Sequence, residues 1–444
     1  MSEGLERSSH AGDAGSERAD VVVVGAGAAG LWAAARAARG LQDAGRRDAR
    51  VLLLEKTERT GTKVLASGGT HCNLTTTLDA RSAGELFGKA GARFLAPALR
   101  ALGPDDVRHH FDALGVPTVE APLEKVFPES GRARDVRDAL EADARGVGVR
   151  ILCDAGVQEL ASRGERGAEG WRLILHDGRT IDAARLILCP GGKSYARTGT
   201  TGDGYAWIEA LGLPLVDPVP ALVPLKSSAA WVHELAGVSV QDGEARILDE
   251  GRRVHGRRRR PVLFTHHGVS GPGAMDLSEP VARAAQRSPD GRTSFTLELD
   301  LVPDLNREAL RAHLIEAAGR AGAPSLSRAL GLELPRRVVL AALRQAGYGE
   351  EPRANGLDKA GRHRTVEALK GLQVPIDGTL GFDFAEVTAG GLALTHVDPG
   401  TMRVRGLENL WACGELLDLT GPIGGLNFLS AFATAELAGR DAGA

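Results

Sequence analysis

Apolar runs and glycine turns alternate along the first part of the chain. Residues 21–24 are a continuous β-branched run, which predicts a strand covered on both faces. Gly25-Ala26-Gly27-Ala28-Ala29-Gly30 follows, and an alanine-rich helical stretch covers 31–44. Residues 50–54 form a second apolar run that ends at Glu55, completing a β-α-β unit. Helices are predicted over 83–102 and 104–114, with Pro104 suited to a first helical turn. A helix over 132–145, a strand over 149–153 and strands over 171–176 and 185–189 come next. The last of these runs into Pro190-Gly191-Gly192. A loop at 198–204 leads to a helix at 205–211.

The character of the chain then changes. Residues 214–302 carry prolines, short alternating runs and basic loops, which read as antiparallel strands, in the manner of a small barrel. Short helices are predicted over 304–320, 324–332, 335–347 and 362–370. After Pro375 the glycine-rich α/β style returns. The pattern predicts an α/β protein with a Rossmann-like nucleotide-binding domain, 20–212 and 374–444, interrupted by a β-rich insertion, 213–303, and a helical one, 304–373. Residues 1–19 are polar and read as a disordered tail.

Composition narrows the function classes. Glycine is 58 of 444 residues, about twice the usual share, and clusters inside apolar sequence as if backbone approached a ligand. A net charge of −3 argues against whole-chain affinity for nucleic acid. The four cysteines lie far apart with no CxxC pair, which fits a reducing, cytoplasmic compartment and gives no metal site. No secretory leader is visible. The apolar stretch 21–35 is too short to cross a bilayer, so no membrane association is expected.

The turn Gly25-x-Gly27-x-x-Gly30 gains meaning from its context: a buried strand before it, a helix after it, and an acid closing the next strand. The glycines allow the tight turn, the approach of a pyrophosphate and close helix–strand packing. The helix start offers free N–H groups and a partial positive charge. The Glu55 carboxylate suits a ribose diol and repels a 2′-phosphate. Three further segments offer the distant contacts that FAD needs. They are Ser67-Gly68-Gly69-Thr70-His71-Cys72-Asn73, Gly191-Gly192-Lys193-Ser194, and the pair Gly414-Glu415 with Gly424-Gly425-Leu426-Asn427. A helix over 428–437 would point its positive end at the flavin pyrimidine.

These segments carry a resemblance. VVVVGAGAAGL at 21–31, LLLEKTERTGTKVLASGGTHCNLTT at 52–76 and PGGKSYARTGTTGDGY at 190–205 are similar to the BaiN/RdsA-type (YhiN-like) NAD(P)/FAD-dependent oxidoreductases. So are LFTHHGVSGPGAMDLS at 263–278, EVTAGG at 386–391 and LWACGELLDLTGPIGGLNF at 410–428. The resemblance implies a glutathione-reductase-type FAD fold with an inserted β-barrel-like domain and a small helical domain. It implies that Gly25, Gly27 and Gly30 hold the pyrophosphate, Glu55 the adenosine ribose, and the Val157 backbone the adenine. Gly414 and Glu415 would reach the ribityl and pyrophosphate region, and Gly424, Gly425, Leu426 and Asn427 the flavin ring. Lys56, Lys63, Ser67, Gly68, Gly69, Asn73, Gly191 and Gly192 complete the implied cofactor contacts. Two departures stand out. Thr70 and His71 replace the family's usual glycine and arginine, and GGLNF replaces a GGYN-type run.

The implied reaction is hydride transfer at a flavin, with NAD(P)H as a transient donor or a small organic substrate as reductant. Oxygen or an unsaturated substrate would take the electrons. The family is connected with amine oxidation and with steroid-type double-bond reduction. His266 is the expected catalytic acid or base, because an imidazole titrates near working pH, with His71 as second candidate. Lys193 and Tyr195 are expected to shape their loop. The run His255-Gly256-Arg257-Arg258-Arg259-Arg260 is expected at a solvated hairpin tip. It motivates a rival reading as an RNA-binding or RNA-modifying flavoprotein, although few aromatics accompany it and nucleic acid is not the expected partner. A further alternative is a flavin-binding electron-transfer protein without a substrate of its own.

Overall fold

The structure, a computed structural model, describes residues 17–319, 325–330 and 333–444. Strand β1 (Glu17–Val24) begins a few residues before the apolar run; the rest of the expected tail lies outside the described residues. Helix α1 (Ala28–Asp43) and strand β2 (Val51–Leu54) complete the first unit. Strands β3 (Arg150–Leu152), β4 (Val157–Ser162), β5 (Trp171–Leu175), β6 (Thr180–Leu188) and β7 (Leu410–Ala412) finish a seven-stranded sheet. Its order is β3-β2-β1-β6-β5-β4, with β7 beside the last part of β6. β3, β2, β1, β6 and β7 are parallel, while β4 and β5 form an antiparallel flap on β6. Val21, Val22 and Val23 are fully inaccessible, as a strand sandwiched between layers requires.

The parallel strands end in one line. Gly25 N–H bonds Leu54 O at 2.8 Å, Cys189 N–H bonds Val24 O at 3.0 Å and Cys413 N–H bonds Leu188 O at 3.0 Å. Each strand end therefore hands the chain to a glycine turn at the carboxyl edge of the sheet, where open α/β sheets bind their ligands. Helix α2 (Leu426–Ala442) lies along α1. A Cβ on Gly439 would stand 2.5 Å from Ala33 O, so the helices approach closely because small residues face each other.

The helix expected over 83–102 is two, Ala80–Glu85 and Gly88–Ala101. Gly88 has φ +72°, outside helical space, and the chain turns there. Between β6 and β7 lies a second core. Two open sheets of five and four strands enclose Phe264, Val269, Leu297 and Val374. The helices Arg336–Gln345 and Lys359–Lys370 share that core through Val338, Val339, Val366 and Leu369. The ladder between Leu215–Ala221 and Val387–Leu392 joins it to the nucleotide-binding part.

The basic run is not a hairpin tip. Val254–Arg259 is an edge strand of the four-stranded sheet, paired with Glu244–Asp249, and the tip lies at Glu250–Arg253. Among the described residues, no helix is long and apolar enough to cross a membrane.

Candidate active site

At the start of α1, Gly25 has φ +99° and a Cβ there would stand 2.5 Å from Cys189 O. A Cβ on Gly30 would lie 1.8 Å from Gly25 O. Gly27 differs: nothing lies within 4 Å of where its Cβ would be. Gly27 caps α1 with no side-chain hydrogen bond, so the first N–H groups of the helix have no capping side chain. Gly414 has φ +69°, and a Cβ there would stand 2.9 Å from the Ala29 Cβ, so its backbone packs close to the start of α1.

Glu55 is almost buried. Its Oε2 accepts from Ala26 N–H at 3.0 Å, and its Oε1 accepts from Thr57 N–H at 2.9 Å and Thr57 Oγ1 at 2.8 Å. Three donors use three of the carboxylate's roughly four acceptor sites, which fixes the group and leaves capacity for a hydroxyl. Ala155 N–H bonds Glu55 O at 2.8 Å, so Val157 follows closely on the same side. Lys56 is engaged by Asp203 at 2.6 Å and Thr201 at 2.5 Å.

A second cluster gathers around Glu415. Its Oε2 accepts from Lys63 Nζ at 2.6 Å; its Oε1 accepts from Thr388 N–H at 2.8 Å and Ser194 Oγ at 3.1 Å. Lys63 also reaches Ser194 Oγ at 3.1 Å. A Cβ on Gly192 would press within 2.5 Å of Thr388 Oγ1 and 2.9 Å of Glu415 Oε1. Thr388 Oγ1 in turn accepts from the N–H groups of Lys193 and Ser194. Lys193 lies over the Phe382 ring at 5.2 Å, and Tyr195 N–H bonds Phe382 O at 3.0 Å. Both residues tie the loop down.

The third cluster surrounds the start of α2. Gly425 has φ +82°, and its Cβ would fall 2.1 Å from Thr75 O and 2.9 Å from Asn73 Oδ1. Asn73 accepts from Val126 N–H at 3.1 Å. Asn427 both donates to Gly421 O at 2.8 Å and accepts from Gly421 N–H at 2.9 Å, which fixes the turn ahead of Gly424. The Thr75 hydroxyl is buried with no hydrogen-bond partner among the described residues. Gly425 leaves α2 without a side-chain cap, so a second uncapped helix start faces this region.

Loop 67–73 is strained. Gly68, Gly69, Thr70 and Cys72 all have positive φ, and Thr70 at +75° is β-branched. Ser67 Oγ bonds Val64 O at 2.7 Å. Replacing Thr70 by the glycine usual in the family removes a strained residue at an exposed position. Thr70→Gly should therefore raise stability by about 1 kcal/mol, read as a higher denaturant midpoint. His71 is exposed, with Nδ1 2.8 Å from Gly131 O. Burial pushes the Cys72 thiol up to about 12, so it stays protonated and is a poor nucleophile.

His266 stands exposed in the turn between Val262–Thr265 and Gly268–Ser270, and its ring makes no hydrogen bond among the described residues. A different acid sits beside the third cluster. Asp276 follows the short helix Pro272–Met275; its Oδ1 accepts from Ile423 N–H at 2.8 Å and its Oδ2 lies 3.2 Å from Arg258 Nε. Loss of hydration outweighs these contacts and raises its carboxyl to about 6. Its charged form costs folding stability above that pH. The cost fades as pH falls from about 6 toward the ordinary carboxylate range. Glu386 has surface open to solvent yet protein atoms on most sides, as a group on a cleft wall does. Desolvation and the Asp276 charge push its carboxyl upward.

Sequence reasoning gave no role to Thr388 or Asp276, and named Ser194 and Arg258 only inside longer runs. Asp276 and Thr388 lie in motifs already singled out, but their partners are distant in the chain.

The HI0933-like protein Rossmann domain family model matches residues 19–441. This chain belongs to the HI0933-like family. It is 32% identical over 425 residues to the 3-dehydro-bile acid delta(4,6)-reductase of Clostridium scindens, covering 95% of this chain and 98% of that one. It is 29% identical over 434 residues to the ribosomal RNA dihydrouridine synthase of Escherichia coli, covering 96% and 98%. Among solved structures it resembles the 3-ketosteroid delta1-dehydrogenase of Sterolibacterium denitrificans, with a TM-score of 0.52 and 13% identity over 96% of this chain and 100% of that one. The HI0933-like chain thus has the Rossmann-type FAD-binding fold that its glycine motifs imply.

Proposed function

We propose that this protein is an FAD-dependent reductase of carbon–carbon double bonds conjugated to a carbonyl. The observation that carries the reading is the open space over Gly27 at the uncapped start of α1, close to which Glu55 is anchored and Gly414 packs. Every other glycine of the fingerprint is filled by the protein's own backbone, so the space left is shaped for a ligand. The names of the relatives supply the reaction type: a Δ4 bond beside a 3-oxo group and the uracil ring of uridine are both conjugated to a carbonyl.

When bound, FAD supplies hydride chemistry at its ring. In this reading the residues 20–212 and 374–444 form the FAD-binding unit. The first N–H groups of α1 would hold the pyrophosphate and Glu55 the ribose. Lys63 and Glu415 set the level of the Gly191-Gly192 loop beneath the cofactor. Gly425 and the uncapped start of α2 would favour negative charge on the flavin ring. NAD(P)H would dock transiently as electron donor, because the chain shows no second GxGxxG with strand and helix around it.

The purified protein should be yellow and release FAD on heating. Anaerobic NADH or NADPH should bleach it, and a cyclic enone should restore the colour faster than buffer alone. A colourless protein that takes up no added FAD would sink the reading. The rRNA-modifying relatives and the arginine-rich edge strand favour a second reading, in which the double bond belongs to RNA. A salt-sensitive gel shift with rRNA fragments would support it.

A further inference from the structure

The third cluster opens on a cavity of about 330 Å³, within the range of small-molecule sites. Part of its lining is apolar: Leu78, Leu86, Leu123, Ile423 and Leu426. Arg257 through Arg260, at the end of the edge strand, and Asp276 also line the cavity. Gly424, next to the start of α2, is part of the lining. The arginines are not equivalent. Arg259 is held by Asp242 and Asp304 at 2.7 Å, and Arg260 is paired with Glu124. Arg257 is exposed and has no ion pair among the described residues, but nothing among them ties it to the turn before α2. Arg258 is partly exposed and, among the described residues, is held by the longer 3.2 Å contact with Asp276, whose carboxyl is covered. It has donors left over.

We propose that this cavity is the substrate site, that it takes an uncharged conjugated cyclic ketone or imide, and that Arg258 donates to the ligand's carbonyl oxygen. Asp276 acts through that guanidinium, holding it when ionised and freeing it for the ligand when protonated. The inference rests on the reductase reading. A cationic donor at the carbonyl oxygen favours reduction of such a double bond, since negative charge builds there. The apolar lining accepts the ring faces. Ile423 N–H fixes Asp276 to the turn that starts α2, so the carbonyl anchor and the proposed ring site belong to one rigid unit.

The arrangement couples binding to a proton. An ionised Asp276 competes with the ligand oxygen for Arg258, and a protonated one releases it. Asp276 is surrounded by Arg258 and Arg260 from the edge strand, Ile423 N–H from the turn and Glu386 from the segment before Val387–Leu392. Glu124 and Glu244 also line the cavity.

The test is a titration of the FAD-loaded protein with 2-cyclohexenone, which does not ionise between pH 5 and 8, followed by ligand-observed NMR. Wild type should bind about tenfold more tightly at pH 5 than at pH 8, with the change centred near the Asp276 carboxyl at about 6. Asp276→Asn should bind with no pH dependence. Arg258→Met should bind more weakly at every pH with its FAD content unchanged, and should melt somewhat lower above about pH 6, where it leaves the covered Asp276 carboxylate unpaired. A wild-type affinity that is flat with pH, no binding at any pH, or a pH slope that survives in Asp276→Asn would overturn the proposal. If Asp276→Asn fails to fold, the wild-type profile and Arg258→Met still decide it. The visible spectrum of the same sample reports on the reductase reading separately. A yellow protein with pH-independent binding loses only the inference, whereas a colourless one loses the reading beneath it.

Discussion

Gly27→Ala should fold as wild type does and yet lose FAD, whereas Gly30→Ala should fail as a folded protein. The two glycines stand three residues apart in one fingerprint, but they face different things. A methyl on Gly27 meets no protein atom within 4 Å, and its backbone has no positive φ to strain. The alanine also suits the N-cap less well, which costs about 0.5–1 kcal/mol relative to glycine. Stability therefore falls only by that much. The methyl projects into the space assigned to the pyrophosphate, where close approach of backbone N–H groups to the anion is the basis of binding. A lost contact shell there weakens FAD by about two orders of magnitude, taking about 3 kcal/mol as the value of two charge-assisted hydrogen bonds. On Gly30 the methyl overlaps Gly25 O at 1.8 Å and approaches the Cys189 sulfur at 3.2 Å. Backbone cannot rotate away as a side chain does, so the cost exceeds the about 1–3 kcal/mol of ordinary overpacking. Thermal melts and flavin content of the two variants, measured side by side, separate the effects. If Gly27→Ala retains FAD with wild-type affinity, the pyrophosphate does not lie over that residue.

The same contrast shows what was legible in the sequence. The β-α-β unit could be read because its signals are local: four consecutive valines, three glycines at fixed offsets and an acid at the end of the next strand. The turn before α2 could be read for the same reason. The inserted part resisted, since its strands are short and pair across long stretches of chain, as Phe295–Asp300 does with Leu372–Ile376. The basic run was placed at a loop tip because alternation was hidden. Arg257 and Arg259 alternate with Arg258 and Arg260, so both faces of the edge strand carry the same residue type and no period of two appears. Asp276 was invisible as a site residue. Its defining partner is the backbone N–H of Ile423, 147 residues away, and a backbone donor leaves no mark on composition. His266 could be named from its residue type alone, because histidines often carry proton chemistry, whereas its exposed place in the turn is set by the pairing of the strands on either side.

Glu415→Gln is expected to have the second largest effect, and on two observables together. The carboxylate ties three segments that reach it from different parts of the chain. Lys63 comes from the helix Thr62–Ala66, Ser194 from the loop after β6, and Thr388 from the strand Val387–Leu392. Glutamine keeps one acceptor oxygen. Its amide nitrogen must then face either the Lys63 ammonium or the Thr388 N–H, both of which are donors, so one contact turns from attraction to conflict. Breaking a fully buried pair costs about 3–5 kcal/mol. Lys63 and Glu415 keep 27% and 20% of their side-chain surface, so solvent screening reduces this to about 2 kcal/mol. The stability loss should appear as a lower denaturant midpoint. The second effect concerns Gly192, which packs against both Thr388 and Glu415. Once those two no longer hold their spacing, the Gly191-Gly192 loop rises into the proposed cofactor space and FAD affinity falls. Lys63→Met tests the order of cause. It removes the ammonium while leaving Glu415 free to accept from Ser194 and Thr388, so the loop should keep its height and FAD should be retained better than in Glu415→Gln. Equal loss of FAD in both variants would show that the ammonium itself contacts the cofactor, and that the loop's position is not what the carboxylate controls.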